Sequence, residues 1–251
     1  MTMALVLEAA VRSDVGPVRR NNEDAAYASP RLAAVADGVG GAAAGEVASR
    51  AAIDALVALD NRRLEQPLAE ALRAAVADGN ARIGFIAACR PRTAGMSTTL
   101  TAVALDDGRY AIANVGDSRS YLLRDGVLRR LTRDDSLVQR MLDSGALTSD
   151  EARRHPQRSL VVATLDGDPG RRPPAVASLA ARGGDRLLLC SDGLSDSVDD
   201  EAIAAALAGM ADRGACAERL VELALAAGAR DNVSVVVADA VARRDVGSAW
   251  D

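Results

Sequence analysis

The sequence predicts an α+β layered domain. Three observations carry that prediction: apolar runs of strand length arrive in groups, short explicit turns join members of a group, and long Ala-rich periodic segments separate the groups. The strand-like runs are Leu32–Ala36, Leu100–Leu105, Tyr110–Val115, Tyr121–Leu123, Arg186–Cys190 and Val233–Ala238. Asp106-Asp107-Gly108 joins two of them and Asp125-Gly126 joins two more. Asp and Gly tolerate the positive φ that tight hairpins need, so both turns mark antiparallel pairs. Helical periodicity runs from about Ala42 to Leu59, Leu68 to Ala88, Asp200 to Leu207 and Ala215 to Ala227. One strand per helix would indicate a doubly wound parallel sheet; strands arriving in antiparallel groups favour separate layers. The stretch Asp134–Pro174 differs. It is rich in Arg, Asp and Ser, has one amphipathic turn around Leu137–Leu142, and reads as a surface flap capable of moving.

The 251 residues include no Pro/Gly/Ser-rich linker, low-complexity block or solenoid repeat, so residues 1–251 are read as one domain, with 49% apolar residues to supply its core. A formal net charge of -5 and only five aromatic residues exclude a basic groove with a stacking platform, and with it nucleic acid. The opening MTMALVLEAAVRSD is too short in its apolar run for a signal segment, and no later run approaches the roughly 18 apolar residues of a membrane span. A cytoplasmic protein is therefore expected, and separately a monomer. Cys89, Cys190 and Cys216 are widely spaced without a CxxC pair, which points to packed thiols rather than a disulfide framework or a thiolate zinc site.

Acidic residues recur where strands end. VRRNNED holds Glu23 and Asp24, AVADGVGG holds Asp37 and Gly38, LLLCSDGLSD holds Asp192, and ARDNVSVVV holds Asp231. Carboxylates fixed at strand ends and brought together would repel one another unless cations sat between them. Oxygen donors without histidine or thiolate suit Mg²⁺ or Mn²⁺ and disfavour zinc. Two such ions about 4 Å apart would activate a bridging water for in-line attack on phosphorus.

The ordered segments S-D-x-G-x-V-R-x-N-N-E-D, A-D-G-x-G-G, G-M-x-T-T-L, N-V-G-D-S-R, L-C-S-D-G-L and D-N-V-S are spread along nearly the whole chain. Together they resemble the protein phosphatase 2C (PPM) family in its compact bacterial form. The resemblance implies an αββα sandwich of two antiparallel sheets flanked by helices. It also implies hydrolysis of phosphoserine and phosphothreonine in phosphorylated proteins, a bacterial serine/threonine kinase being a natural partner. Carried over by position, Asp37 should bridge two metals and the Gly38 carbonyl should touch one. Asp192 and Asp231 should complete the first site, Glu23 or Asp24 should support the second through water, and Asp117 should join Asp192 at a weaker third. Arg19, rather than Arg20, should grip the substrate phosphate, and Asn232 should orient Asp231. Two departures stand out: Val39 occupies the place where eukaryotic-type members carry a histidine, and the flap reads DDSLV and HPQRSLVVATLDG, with the only histidine, His155, inside it.

Each acid has a plainer reading by itself, since Asp before Gly is commonly a turn and Asp24 could be a helix cap. Rival functions fit less well. Gly38-Val39-Gly40-Gly41-Ala42-Ala43 matches a relaxed dinucleotide-binding pattern, but Asp37 would aim a carboxylate at the pyrophosphate. A cysteine phosphatase needs arginine six positions after its nucleophile; Gly95, Asp196 and Glu222 stand there instead. A phosphoprotein-binding module without turnover would be marked by loss of a bridging aspartate, and none is lost.

Overall fold

The computed structural model describes residues 4–39, 44–170 and 174–243. One five-stranded sheet has the order β1 (Leu5–Asp14), β12 (Val233–Ala242), β11 (Arg186–Cys190), β8 (Arg119–Arg124), β9 (Val127–Arg130). The second has the order β10 (Val176–Ala180), β7 (Arg109–Val115), β6 (Leu100–Asp106), β3 (Leu32–Ala36), β2 (Ala25–Ala28). A two-residue ladder joins β4 (Gly38–Val39) to β5 (Ser97–Thr98). All these pairings are antiparallel.

Period-two alternation sorts each apolar strand between two cores. On β12, Val233, Val235 and Val237 pack under α5 (Asp192–Ser195), α6 (Asp200–Gly209) and α7 (Arg213–Ala226), while Val236, Ala238 and Ala240 face the other sheet. On β3, Leu32, Ala34 and Ala36 pack under α1 (Gly45–Asp60) and α2 (Leu68–Cys89), while Ala33 and Val35 enter the layer between sheets. The result is the expected αββα sandwich. Both faces of the central strands are buried, so they read as continuous apolar runs rather than alternating ones. Each fully buried Val or Leu contributes about 1.5–3 kcal/mol.

Both anticipated hairpins form. Asp107 (φ 44°) and Gly108 (φ 68°) turn β6 into β7, and Asp125 (φ 53°) with Gly126 (φ 76°) turns β8 into β9. Several elements differ from expectation. The opening stretch, with no strand assigned from sequence, is the ten-residue edge strand β1, laid along β12 from Leu5↔Ala242 to Asp14↔Val233. Among the described residues its outer edge has no partner strand, and polar residues interrupt its pattern. The first helix starts at Gly45 rather than near Ala42, and Gly40, Gly41, Ala42 and Ala43 lie outside the described residues. Cys190 and Cys216 are buried as expected, but Cys89 is exposed at the end of α2.

The flap is more ordered than a surface loop. It carries α3 (Leu137–Asp143), capped by Ser136, and α4 (Ser149–Arg154), closed by a capping box between Thr148 and Glu151. Its entry is internal: Asp134 is 5% exposed and held by the Arg119 fork. Its exit is fastened to α2, where Asn80 Oδ1 accepts from the Asp166 and Gly167 amides at 3.1 and 3.0 Å. A methyl on Gly167 would fall 2.3 Å from Gly84 Cα, so backbone meets backbone there.

Candidate metal centre

Register gathers the acids at one edge of the sandwich. In the second sheet Ala25 pairs with Ala36 and Leu100 with Val115. In the first, Cys190 pairs with both Arg119 and Val235. Asp24 precedes β2, Asp37 follows β3, Asp117 lies in the turn carrying β7 of one sheet into β8 of the other, Asp192 follows β11, and Asp231 precedes β12. The expectation that the acids close their strands is thus corrected for Asp24 and Asp231, which open theirs. In antiparallel neighbours the start of one strand lies beside the end of the next, so both kinds meet.

Hydroxyl pairs join the sheets just below this edge: Thr99 to Ser118 and Thr101 to Ser120, both 2.7 Å and fully buried. Thr99 Oγ1 also accepts from the Asp37 amide at 3.1 Å, and Thr98 Oγ1 donates to the Asp37 carbonyl at 2.8 Å. Close backbone approach positions Gly38. A methyl there would come within 2.4 Å of the Gly45 carbonyl carbon, and one on Gly45 within 2.6 Å of Glu23 Oε2. The Gly38 amide donates to the Glu23 carbonyl at 3.2 Å, which ties the Glu23 segment to the Asp37 turn.

Burial, then the charges of Asp24, Asp192, Asp117 and Asp231, push the Asp37 carboxyl well above the usual range. Burial followed by Asp117, Asp196 and Asp231 does the same to Asp192. Burial raises Asp24 to about 6 against the opposing bonds from Ser234 and Ser191, and raises Asp117 to about 7 with help from Asp134. Such mutual perturbation means that these carboxylates cannot all be ionised without added positive charge. Among the described residues, no three His, Cys, Asp or Glu side chains already form a coordination shell. Two oxygens nevertheless lack a partner while buried: Asp24 Oδ1 and Asp192 Oδ1. An all-oxygen donor set with orphaned carboxylate atoms fits a hard divalent cation.

Asp24 sits deeper in this group than Glu23. Its Oδ2 accepts from Ser191 Oγ at 2.9 Å, whereas Glu23 Oε1 accepts from Asn21 at 3.1 Å nearer the rim. Arg19 Nη2 donates to Asp231 Oδ2 at 2.5 Å and feels the charges of Glu23 and Asp37 as well. Arg20 makes no ion pair among the described residues. Asn232 reaches Asp231 through its backbone amide, 2.9 Å from Oδ1, while its side chain secures the 15–23 loop at Val15, Asn21 and Glu23. Val39 is paired with Ser97 in the β4–β5 ladder. His155 caps α4, its Nδ1 accepting from the Gln157 amide within the flap.

Sequence reasoning passed over Asp134, Asp196 and Ser191. Asp196 stands four residues beyond Asp192, one turn along α5, and that helical spacing inside LLLCSDGLSD was an available signal. Asp134 had none, because only folding places it beside Asp117.

A family model described as Protein phosphatase 2C matches residues 20–226. The chain belongs to the protein phosphatase 2C family. It is 50% identical over 239 residues to the serine/threonine protein phosphatase PstP of Mycobacterium tuberculosis, covering 95% of this chain and 46% of that protein. The chain therefore spans about half the length of that curated relative. It is also 32% identical to the serine/threonine phosphatase stp of Listeria monocytogenes, with 93% and 96% of the two chains covered. Among solved structures of the family, the PstP catalytic domain in complex with two manganese ions matches with a TM-score of 0.88 at 48% identity, over 95% of this chain and 100% of that one. The Mycobacterium smegmatis phosphatase MsPP, in complex with cacodylate, matches with a TM-score of 0.82 at 40% identity, over 93% and 98%.

Proposed function

We propose that the chain is a metal-dependent protein phosphatase domain acting on phosphoserine and phosphothreonine, with residues 1–251 as one catalytic domain and 134–174 as its flap. The reading rests above all on the gathering of Asp24, Asp37, Asp117, Asp192 and Asp231 at one sandwich edge beneath Arg19. Asp37 with Asp192 and Asp231 would hold one Mn²⁺ or Mg²⁺, and Asp37 with Glu23 or Asp24, largely through water, would hold a second, the Gly38 carbonyl serving one of the two. Asp117 with Asp192 would hold a weaker third. When bound, the cations acidify the attacking water and neutralise the phosphoryl oxygens.

Arg19 exchanges its bond to Asp231 for the substrate phosphate, presenting a planar two-pronged donor to it. Ser191 and the Thr99–Ser118 pair hold the acids in place during turnover. Val39 offers no proton, so the leaving alkoxide must take one from water. The physiological targets are cytoplasmic phosphoproteins, including the autophosphorylated residues of a bacterial serine/threonine kinase, and the enzyme works as a monomer.

Matched peptides carrying phosphoserine, phosphothreonine or phosphotyrosine test the assignment. With Mn²⁺ the first two should be hydrolysed at least about tenfold faster than the third, the scale of one favourable transition-state contact. Tight binding without turnover would instead make the chain a phosphoprotein-binding module. Arg19→Ala should raise KM for the better peptide about tenfold with a smaller change in kcat, since the phosphate is already charged in the ground state. An unchanged KM would remove Arg19 from substrate binding. Asp117→Ala should retain two tightly held ions by metal analysis yet need several-fold more Mn²⁺ for half-maximal rate. An unshifted titration would dismiss the third site.

A further inference from the structure

The flap exit reaches the acidic edge through a short chain of hydrogen bonds that starts on α2. Asn80, half-buried on that helix, directs its side chain to three consecutive flap residues. Its Oδ1 accepts from the Asp166 and Gly167 amides at 3.1 and 3.0 Å, and its Nδ2 donates to the Asp168 carbonyl at 2.9 Å. The backbones close up beside this clamp, where a methyl on Gly84, one turn along α2, would meet the Gly167 carbonyl oxygen at 2.7 Å. Glycine weakens a helix interior relative to alanine, so its place at 84 answers to that approach rather than to the helix.

The next residue towards the edge is Leu165, 2% exposed in the core beneath α1 and α2. It forms an isolated antiparallel bridge with Thr98: the Leu165 amide donates to the Thr98 carbonyl at 2.8 Å, and the Thr98 amide to the Leu165 carbonyl at 2.9 Å. Thr98 is fully buried and also holds the Asp37 turn. It pairs with Gly38 in the β4–β5 ladder, and its hydroxyl donates to the Asp37 carbonyl at 2.8 Å. The Thr99 amide donates to that same carbonyl at 2.8 Å. One buried residue thus joins the flap exit to the Asp37–Gly38 backbone.

We infer that Asn80 is a positioning residue for metal binding at Asp37, acting through the flap exit and Thr98. The inference rests on the proposed reading of the chain as a metal-dependent phosphatase. Among the described residues Asn80 makes no side-chain hydrogen bond to the gathered acids. It fixes residues 166–168, their neighbour Leu165 fixes Thr98, and Thr98 fixes the backbone that carries the bridging carboxylate. Loss of an outer support of a metal ligand typically costs about 10- to 100-fold in affinity.

The test is calorimetric titration of the chelated full chain with Mn²⁺, for wild type, Asn80→Ala, Thr98→Val and the double variant. Asn80→Ala should weaken Mn²⁺ binding about tenfold, the lower end of that range because it acts at a distance. Thr98→Val should do the same, and the double variant should lose little more than either alone, whereas independent effects would multiply to about a hundredfold. Asp78→Ala breaks the solvent-facing pair with Arg82 on the same helix and should leave Mn²⁺ affinity unchanged. In metal-free Asn80→Ala, hydrogen exchange at the Thr98 and Thr99 amides should quicken about tenfold, a local loosening that decides the question if Thr98→Val fails to fold. A lowered Tm with unchanged Mn²⁺ affinity or unchanged exchange would make Asn80 a purely structural clamp and overturn the inference. Multiplied losses in the double variant would overturn the route through Thr98. A wild type that binds no Mn²⁺ would bring down the functional reading and this inference together.

Discussion

Asp37→Asn is expected to lower kcat on a phosphopeptide by about three orders of magnitude or more, the scale of losing a preorganised electrostatic element. The fold should survive the change. Asp37 is held from its backbone by Thr98 and Thr99, and those bonds do not involve the carboxylate. Its side chain instead stands among four other aspartates, so removing its charge relieves repulsion rather than breaking an ion pair. Metal-free Asp37→Asn should accordingly melt above metal-free wild type at neutral pH. Steady-state rates at saturating Mn²⁺ and thermal melts with a chelator make the two measurements. Retention of more than about a tenth of wild-type turnover would place Asp37 outside the catalytic group.

Removal of the metal should abolish turnover altogether and make stability fall as pH rises. The sign follows from the acids with raised values in the fold. Asp24 moves from 3.8 to about 6 and Asp117 from 3.8 to about 7. Between those limits the folded state binds more protons than the unfolded one, so stability is greatest below about pH 4 as far as these groups are concerned. It is lost progressively up to about pH 7. In the chelated protein this should lower Tm by on the order of 5 °C between pH 5 and pH 8. Saturating Mn²⁺ should restore Tm at pH 8, because cations neutralise the same carboxylates. Full activity after exhaustive chelation would sink the metal mechanism; a Tm flat in pH would mean that the acids are not packed against one another as described.

The candidate acids were legible because five of the six ordered motifs carry them, and the hairpins were legible because Asp-Gly turns act over a few residues. β1 was not. Leu5–Asp14 is an edge strand whose pattern means little until β12 lies beside it, more than two hundred residues away in sequence. Nor could sequence order reveal that Asp24 and Asp231 open strands while Asp37 and Asp192 follow them.

The sequence alone was enough for the layered α+β class, the family and an oxygen-only set of candidate donors that suits a hard cation. The class and the oxygen-only set follow from periodicity, turn chemistry and side-chain type, all of which are local properties; the family follows from the resemblance of the six ordered motifs. It took the assembled fold to join Arg19 rather than Arg20 to Asp231, to secure the 15–23 loop with the Asn232 side-chain amide, and to press Asp134 and Asp196 on Asp117 and Asp196 on Asp192. Those choices depend on register between distant strands. A shift of one residue would turn every side chain of a strand to its opposite face, so the assembled sheets alone decide which carboxylates meet.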